Sequence, residues 1–430
     1  MWRFLIACFL VAAMALLAAA QTETEQTEAA QTETAQLEPI EFWTWQPSAA
    51  DLAEDYQLAS DNVRVNVRRF SSGAEVYKAL LTAVKSGRAP DAVRLEYAFL
   101  PLLQHQNVLL DLEPTLPAAQ PADFPAWAWK QVGVGRGVYA LPVDSSPVAL
   151  VYRSDLLERY KIPVPTTWTQ LANAGEQIFK ASGGKVKLFN VDARSSLWWL
   201  ALTQASGSRP WVAGEARSFE QRLDDGPARK VAAALSALLQ RGRVTSFATG
   251  SLAEAQALRD GTLVISALPL SAAASLARVL RVPSNGAKYR ITALPGGGSA
   301  DWGGSGCAVT AQSQQPLATT QFCLWLSRDA TAQRKSWSKD GLLSVMPAFS
   351  PDTPLSLRAF YGRSEASSVF STLRGRIRAQ TWVPWLPLTD RVYRQLLSNV
   401  VTGDLTLTQA LERWQATVLL EAKKAGFSVR

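Results

Sequence analysis

Strand-like and helix-like segments alternate along this chain, and the alternation limits its possible folds more than any other feature. The first five segments occur in the order strand, helix, strand, helix, strand, at 40–45, 52–59, 63–67, 74–86 and 92–95. This order predicts a mostly parallel sheet with helices on both faces. Ligands bind such sheets beyond the carboxyl ends of the strands, which points to Trp45, Ser72, Glu96 and Tyr97.

The second half of the chain continues in the same style with longer helices. Strands are predicted at 263–267 and 291–294. Helices are predicted at 167–180, 228–241, 316–326 and 407–420, and a Trp/Pro-rich loop at 382–387. A chain of 430 residues also exceeds the usual size of one hydrophobic core, so we expect at least two domains.

Two segments at the N-terminus differ from the rest of the chain. Arg3 precedes an apolar run that ends in Ala18-Ala19-Ala20, so residues 1–20 are predicted to be a cleaved signal peptide, with an uncleaved anchor helix as the alternative. Residues 21–38 contain five Glu and no aromatic residue. Such a segment cannot bury enough apolar surface to offset its ordering entropy, which predicts a disordered Thr/Glu/Gln spacer.

The positive charge of the chain raises the question of a nucleic-acid partner. Lys and Arg number 44 against 36 Asp and Glu, and without the first 38 residues the numbers are 43 and 31. The basic residues are dispersed, however, and dispersed positive charge on an exported protein indicates a solvated surface. We therefore expect no nucleic-acid partner.

Few side chains in this sequence could perform catalysis or hold a metal. His105 is the single His, and Cys307 and Cys323 are the cysteines outside the leader, so we expect no metal, no cofactor and no Ser-His-Asp triad. The glycines within 133–137 lead into a strand and predict a hairpin turn, not a nucleotide-binding loop. Because Cys323 lies in a buried-helix pattern, two buried thiols are favoured over a disulfide.

A carboxylate and two hydroxyls separate two apolar runs that are almost continuous with each other. The runs span 138–143 and 148–152, and Asp144-Ser145-Ser146-Pro147 lies between them. Polar side chains are thereby inserted between two buried strands.

Over residues 39–430 the chain resembles the sugar-type bacterial solute-binding proteins of ABC transporters. Several short segments carry the resemblance, in this order: Phe42-Trp43-Thr44-Trp45, Val84-Lys85-Ser86-Gly87-Arg88-Ala89-Pro90-Asp91, Val108-Leu109-Leu110-Asp111-Leu112, Tyr139-Ala140-Leu141-Pro142-Val143-Asp144, Val151-Tyr152-Arg153-Ser154-Asp155-Leu156-Leu157, Pro165-Thr166-Thr167-Trp168, Gly403 and Gln409-Ala410-Leu411. One departure concerns Ser266-Ala267-Leu268-Pro269-Leu270, which stands where many relatives carry a Trp-containing loop. The departure leaves the identity and size of the ligand open.

The resemblance implies a two-lobed α/β fold of the type II periplasmic-binding-protein kind, in which strands cross between the lobes at a hinge. It implies an N-terminal lobe of 39–143 plus 304–346 and a C-terminal lobe of 144–303 plus 347–430. The stretch between the two apolar runs becomes the first crossing, and Asp144 and Ser145 lie at the cleft floor, where a carboxylate can accept paired sugar hydroxyls. A simple turn before Pro147 is the alternative role of Asp144.

Aromatic residues add candidate ligand contacts, because indole stacks on the apolar face of a sugar ring. The sequence holds 15 Trp, a large number for its length. The predicted stacking residues are Trp45, Trp198, Trp199, Trp302 and Trp382. Adjacent residues of a helix or strand point to different sides, so one of Trp198 and Trp199 is expected in the core.

These observations predict an exported, monomeric solute receptor of the periplasm or cell-envelope exterior. We expect it to capture a carbohydrate, foremost an oligosaccharide, and to deliver it without covalent chemistry to the membrane permease subunits of an ABC transporter. Two alternatives stay open. One is a secreted carbohydrate-active enzyme that uses Glu96 and Asp144 as acid and nucleophile, and the other is a receptor for a non-sugar solute such as a polyamine or glycerol phosphate.

Overall fold

The structure of the chain is a computed structural model. It describes residues 38–430 except 61–62, 117–119, 215–217, 240–241, 282–285, 347–348, 350–353 and 363–364. The predicted leader, the spacer up to residue 37 and the predicted lobe boundary at residue 347 lie outside the described residues. Among the helices of the described part, none is both long enough and apolar enough to cross a bilayer.

The strands of the described part are, in chain order, β1 (Ile40–Thr44), β2 (Val65–Arg69), β3 (Ala92–Glu96), β4 (Gly133–Val134), β5 (Gly137–Val138), β6 (Leu141–Ser145), β7 (Val148–Arg153), β8 (Lys187–Asn190), β9 (Trp211–Ala213), β10 (Phe219–Gln221), β11 (Val244–Thr245), β12 (Leu263–Pro269), β13 (Tyr289–Thr292), β14 (Ser305–Val309) and β15 (Leu343–Ser344).

The α-helices are α1 (Ala49–Ala59), α2 (Gly73–Lys85), α3 (Leu100–His105), α4 (Ala126–Val132), α5 (Ser154–Arg159), α6 (Trp168–Ala181), α7 (Ser196–Ala205), α8 (Gly226–Leu239), α9 (Leu252–Asp260), α10 (Leu270–Leu280), α11 (Pro316–Arg328), α12 (Ala330–Asp340), α13 (Leu355–Tyr361), α14 (Glu365–Gly375), α15 (Leu386–Thr402) and α16 (Leu407–Lys424). Short 3-10 helices cover Tyr97–Phe99, Glu113–Thr115 and Gln120–Asp123.

Six strands form the first sheet, in the spatial order β15-β6-β14-β3-β1-β2. β1 pairs in parallel with β2 and β3, whereas β14 is antiparallel to β3 and β6, and β15 is antiparallel to β6. The mostly parallel sheet expected from the sequence is therefore corrected to a mixed sheet. The β-α-β-α-β rule describes the first three strands, but β14 returns from the other half of the molecule and runs in the opposite direction.

Five strands form the second sheet, in the order β11-β8-β12-β7-β13. β8 is parallel to β11 and β12, and β7 is antiparallel to both of its neighbours, β12 and β13. The glycine-containing segment 133–137 forms the separate hairpin β4-β5, as predicted.

Two connections between the sheets run side by side and form the centre of the hinge. The first is Ser146-Pro147, which joins β6 of the first sheet directly to β7 of the second, and the other spans 293–304, between β13 and β14. The two connections are joined by backbone hydrogen bonds: Val148 N–H donates to Ala300 O at 3.0 Å and Trp302 N–H donates to Ser146 O at 3.0 Å. The predicted two-lobed α/β fold with crossing strands is confirmed, while the residue limits of the lobes stay a prediction.

Alternating side chains of the strands bury both faces of the first sheet, as the pleat requires. Phe42 of β1 packs on Phe322 of α11, with ring centroids 5.2 Å apart, and the next residue, Trp43, belongs to a different buried cluster with Val76 of α2. Helices therefore cover both faces of the first sheet.

The cysteine expectation is wrong. Cys307 of β14 and Cys323 of α11 form a disulfide, with Cα atoms 5.3 Å apart. Both residues are buried, as predicted, but β14 and α11 pack directly on each other and bring the two sulfurs together. A separation of 16 residues in the sequence gave no sign of this packing.

Candidate functional site

A narrow cleft lies between the two sheets, beside the crossing strands. Its walls come from three parts of the chain: the end of β3 with α4, the second crossing, and α7 with the segment before α15. The lining residues are Glu96, Tyr97, Ala98, Gln131, Leu197, Ala201, Gln204, Asp301, Trp302, Gly303, Gly304 and Trp382.

The first-lobe wall begins where β3 ends. Glu96 is the last residue of β3 and is partly buried, and its backbone N–H donates to the Tyr77 hydroxyl at 2.8 Å. Tyr97 is buried and donates its hydroxyl to the backbone oxygen of Asp144 at 2.9 Å, which holds its ring against the hinge. Gln131, near the end of α4, is 3% exposed and completes this wall.

The second crossing contributes Asp301 and Trp302. Asp301 is buried, and its Oδ1 accepts a hydrogen bond from the Ser146 N–H at 2.6 Å. A Cβ on Gly304 would lie 2.1 Å from Asp301 Oδ2, so only glycine leaves room for this carboxylate. Trp302 is partly buried and borders the cleft with part of its ring accessible.

One face of α7 forms most of the second-lobe wall. Leu197, Ala201 and Gln204 follow each other at intervals of four and three residues, which is the spacing of one helix face. The loop 296–300 is fixed to the end of this helix, because a Cβ on Gly298 would lie 1.8 Å from Ala205 O. Trp382 closes the wall and lies next to Trp211, with ring centroids 6.4 Å apart.

Several buried polar atoms of the cleft lining have no hydrogen-bond partner among the described residues. They are Gln131 Nε2 and Oε1, Gln204 Oε1, Asp301 Oδ2 and Trp382 Nε1. Buried polar groups are normally paired, and an unpaired one costs about 1–3 kcal/mol. These atoms come from all three walls, so a ligand in the cleft could contact unpaired polar groups on each of them.

The cleft also holds two carboxyl groups with perturbed acidity. Burial raises the pKa of Glu96 to about 7, although the hydrogen bond with Tyr77 acts in the opposite direction. Burial likewise raises the pKa of Asp301 to about 7, against the lowering effect of the Ser146 N–H. Withdrawal from water disfavours the charged form of a carboxyl group, so both are partly neutral near neutral pH.

Four of the ten predicted site residues line this cleft: Glu96, Tyr97, Trp302 and Trp382. Trp45 lies at the edge of the first lobe, where it is partly buried and contacts Tyr77 edge to face at 6.3 Å. Ser72 caps α2, and its Oγ accepts from the Glu75 N–H at 3.4 Å.

Asp144 and Ser145 are both buried outside the cleft lining and bond within the protein. Asp144 Oδ2 accepts from the Arg94 guanidinium and from Ser305 Oγ, the latter at 2.8 Å. Ser145 Oγ donates to Leu343 O at 3.2 Å. The carboxylate that lines the cleft is instead that of Asp301, in the neighbouring crossing.

Trp198 and Trp199 are 0% and 1% exposed, and neither lines the cleft. Both are therefore core residues in this structure, where the sequence predicted one core and one stacking residue. The lining face of α7 includes Leu197 and Ala201, which lie on either side of the Trp pair in the sequence. In the helix the two indoles consequently pack away from the cleft, into the second lobe.

Three polar lining residues escaped the sequence prediction: Gln131, Gln204 and Asp301. Gln on a helix is common and carries no signal of its own. Asp301 did have a signal, because it is a carboxylate inside the glycine-rich segment 296–306 and directly precedes Trp302.

Two α/β lobes, a double crossing and a cleft with unpaired polar groups define a ligand-binding protein of the periplasmic-binding-protein class. The sequence profile of the bacterial extracellular solute-binding protein family matches residues 44–332, which is more than half of the chain. The chain belongs to this family.

Solved structures with the same fold come from several bacteria. The galacto-N-biose/lacto-N-biose I-binding protein of the ABC transporter from Bifidobacterium longum, in complex with lacto-N-biose, has a TM-score of 0.82 at 20% identity and covers 92% of this chain and 100% of its own. The GacH receptor of Streptomyces glaucescens, solved unliganded and with acarbose, has a TM-score of 0.70 at 18% identity, covering 88% of this chain and 97% of its own. At these identities the likeness shows the fold alone.

One curated relative matches over a shorter range. A Streptomyces antibioticus protein described as an uncharacterized lipoprotein in the oleD 5′ region is 30% identical over 126 residues. The match spans 28% of this chain and 28% of that protein.

Replacing Asp144 with Ala should destabilise the protein without a matching loss of ligand affinity. The substitution leaves Arg94 buried without the carboxylate it contacts, and breaking a buried ion pair costs about 3–5 kcal/mol. Urea unfolding measures the effect, and Asp260→Ala, in an exposed pair with Arg259, is the matched control with an expected loss of about 1 kcal/mol or less. A stable variant with lost affinity would instead support the ligand role predicted from the sequence.

The free energy of unfolding of the ligand-free protein should fall as the pH rises from about 5 to 8. Glu96, Asp301 and buried Glu254 of α9 all have a pKa raised to about 7, chiefly by burial. Between the ordinary carboxyl pKa of about 4 and this value, the folded protein holds protons that the unfolded chain releases, so raising the pH favours unfolding.

Urea unfolding at several pH values measures this slope. The double variant with Glu96→Gln and Asp301→Asn should have a flatter profile, whereas Glu113→Gln, at an exposed position, should give the parent slope. A parent profile that rises over this range would show that these carboxyls ionise normally in the folded protein.

Proposed function

We propose that the chain is the solute-binding component of an ABC importer and captures a carbohydrate, foremost an oligosaccharide, in the cleft between its lobes. The observation that carries the proposal is the mixture of unpaired donors and acceptors beside the partly accessible ring of Trp302. Each sugar hydroxyl is both a donor and an acceptor, so it can satisfy Gln131 Nε2 and Trp382 Nε1 as well as Gln204 Oε1 and Asp301 Oδ2. The apolar face of a sugar ring fits the indole.

A phosphorylated solute fits this lining less well. No Lys or Arg is among the described residues that line the cleft, whereas proteins recognise phosphate with guanidinium or ammonium groups. Glycerol phosphate is therefore disfavoured as the ligand.

A polyamine is disfavoured for a different reason. A cation needs ionised carboxylates around it, and the two carboxyl groups of the lining, Glu96 and Asp301, have pKa values raised to about 7 by burial. Amide and indole groups supply the other unpaired atoms, and Gln131 Nε2 and Trp382 Nε1 are donors that cannot contact an ammonium group favourably.

The family consists of binding proteins, and we propose that this member leaves its ligand chemically unchanged. The enzyme alternative paired Glu96 with Asp144 as acid and nucleophile. Asp144 bonds to Arg94 and is not part of the cleft lining, so the two carboxyl groups do not share a wall from which both could reach one glycosidic bond. We further propose that the protein is exported and that a membrane permease is its partner, in line with its family and its signal-peptide-like N-terminus.

A ligand screen by thermal shift tests the proposal. Lacto-N-biose, β-1,6-galactobiose and cycloalternan are suitable sugars, since three structural neighbours are complexes with them, and putrescine and glycerol phosphate represent the alternatives. A sugar at a hundredfold excess over its Kd should stabilise the protein by about 2.7 kcal/mol and be recovered intact. Stabilisation by putrescine or glycerol phosphate but by no sugar, or hydrolysis of a bound sugar, would overturn it.

Trp302→Ala should weaken binding of the sugar selected in this screen by about 1–3 kcal/mol, the range for burying a large apolar side chain. Trp302 is only partly buried at the edge of the main core cluster and lines the cleft, so the melting temperature should fall only slightly. Calorimetric titration beside a melting curve measures both quantities. Trp127→Ala is the matched control, because Trp127 is also partly buried but packs on Phe124 and Val345, outside the cleft lining. Normal binding with a much lower melting temperature would make Trp302 a core residue.

A further inference from the structure

The two carboxylate oxygens of Asp301 have different surroundings. Oδ1 accepts the hydrogen bond from the Ser146 N–H at 2.6 Å, whereas Oδ2 is buried and has no partner in the described part of the chain. The residue as a whole is 3% exposed and belongs to the cleft lining. One oxygen is therefore committed to the hinge, and the other is available to a ligand.

Ser146 is the residue at which the first crossing leaves the first sheet. Its backbone oxygen accepts from the Trp302 N–H at 3.0 Å, so Asp301 Oδ1 adds a side-chain bond to a point where the backbones already meet. The Ser146 hydroxyl also accepts from the Ser271 N–H at 3.0 Å, in the first turn of α10 in the second lobe. A continuous path of hydrogen bonds thus leads from the cleft through Asp301 and Ser146 to α10.

The backbone around Asp301 leaves room for Oδ2 at the wall of the cleft. Gly303 has a φ of +90°, a backbone conformation that favours glycine. Gly304 has no Cβ, and a Cβ at this position would overlap Asp301 Oδ2. Gly304 O in turn accepts from the Tyr97 N–H at 3.1 Å, which fixes the end of the crossing to the first lobe. Asp301 therefore lies between a part of the crossing bonded to the first lobe and a part bonded to the hinge.

We propose that Asp301 couples ligand binding to the position of the hinge: Oδ2 accepts a ligand hydroxyl while Oδ1 holds Ser146 in register with the second crossing. The proposal rests on the proposed function, because it takes a carbohydrate as the ligand. It adds that Asp301 is the residue through which ligand binding affects the hinge. An acceptor buried without a donor is costly, so closure of the walls is favoured when a hydroxyl occupies Oδ2. The same carboxylate orients the crossing strands about which the lobes move.

Three variants separate the two roles. Asp301→Asn keeps an oxygen for the Ser146 N–H but replaces the acceptor that faces the cleft, whereas Asp301→Ala removes both oxygens. Glu96→Gln is the matched control, because it alters the other carboxyl group of the cleft, whose side chain has no bond to the hinge. The sugar selected by thermal shift is the ligand.

Lobe position is measured by a spectroscopic distance between labels attached through Leu58→Cys in α1 and Leu420→Cys in α16, both exposed positions. For Asp301→Asn we expect an affinity at least about tenfold lower, because the amide nitrogen that replaces Oδ2 cannot accept a hydrogen bond from the ligand hydroxyl. The ligand-free variant should keep the parent distance distribution. Asp301→Ala should lose affinity similarly and also broaden the ligand-free distribution, and Glu96→Gln should keep the parent distribution.

Either half of the proposal can be overturned separately. Binding by Asp301→Asn within twofold of the parent would refute the ligand contact, and a parent-like distribution for Asp301→Ala would refute the hinge role. Should no sugar bind the parent protein, the proposed function fails, while the ligand-free comparison of Asp301→Ala with Asp301→Asn still decides the hinge role. A melting curve for each variant confirms that it is folded.

Discussion

The buried guanidinium of Arg94 is the interaction on which the arrangement of the crossings depends. It donates to Asp144, which directly precedes the first crossing, and to Gln46, whose amide donates to Asp340 at 2.8 Å. Asp144 also accepts from Ser305, the first residue after the second crossing. Burial lowers the pKa of Arg94 to about 10, so the group remains charged at neutral pH and needs carboxylates close to it. Such a network destabilises the fold strongly when one partner is missing, and it therefore fixes which strands meet at the hinge.

The polar groups of the hinge and of the cleft have different roles because their partners differ. Arg94 and Asp144 find each other within the first lobe, and no ligand is needed to satisfy that contact. Gln131 lines the cleft from the first lobe, and Gln204 lines it from the second. The amide atoms Gln131 Nε2, Gln131 Oε1 and Gln204 Oε1 have no hydrogen-bond partner in the described structure. A buried carboxylate by itself does not identify a ligand site, because Asp144 Oδ1 and Asp301 Oδ2 are both buried without a partner in the described part of the chain. The two residues differ in position, since Asp301 lines the cleft and Asp144 does not.

Much of the fold could be predicted from the sequence, since local patterns specify it. The capping pair Thr167 and Gln170 starts α6 where the sequence predicted a helix, and the two apolar runs around Asp144 become β6 and β7. The segment 382–387 was predicted as a loop, but α15 begins at Leu386, because Pro387 lies in the first turn, where proline is compatible with a helix. The disulfide was missed because only the packing of α11 on β14 brings its sulfurs together.

Less of the site could be predicted, because it depends on contacts between distant parts of the chain. Asp144 was a reasonable candidate as a carboxylate at the crossing, and Arg94, which occupies it, lies 50 residues earlier in the sequence. Gln131 and Gln204 have no local pattern that separates them from surface glutamines. Asp301 and Trp302 were at the expected crossing, yet the sequence drew attention to the aromatic ring and not to the adjacent carboxylate.

The unpaired atoms of the lining also affect whether the cleft closes when no ligand is bound. Each buried polar atom without a partner costs about 1–3 kcal/mol, and the lining holds such atoms on Gln131, Gln204, Asp301 and Trp382. Walls that approach this closely with nothing between them would thus carry a penalty of several kcal/mol, whereas separated walls leave the same atoms to water. A ligand that satisfies them shifts the equilibrium by its difference in affinity for the two arrangements, and about 5.5 kcal/mol is sufficient to invert a 99:1 population. Under the proposed function, the unpaired atoms that would bind a hydroxyl-rich ligand are therefore also the atoms that favour an open cleft in its absence.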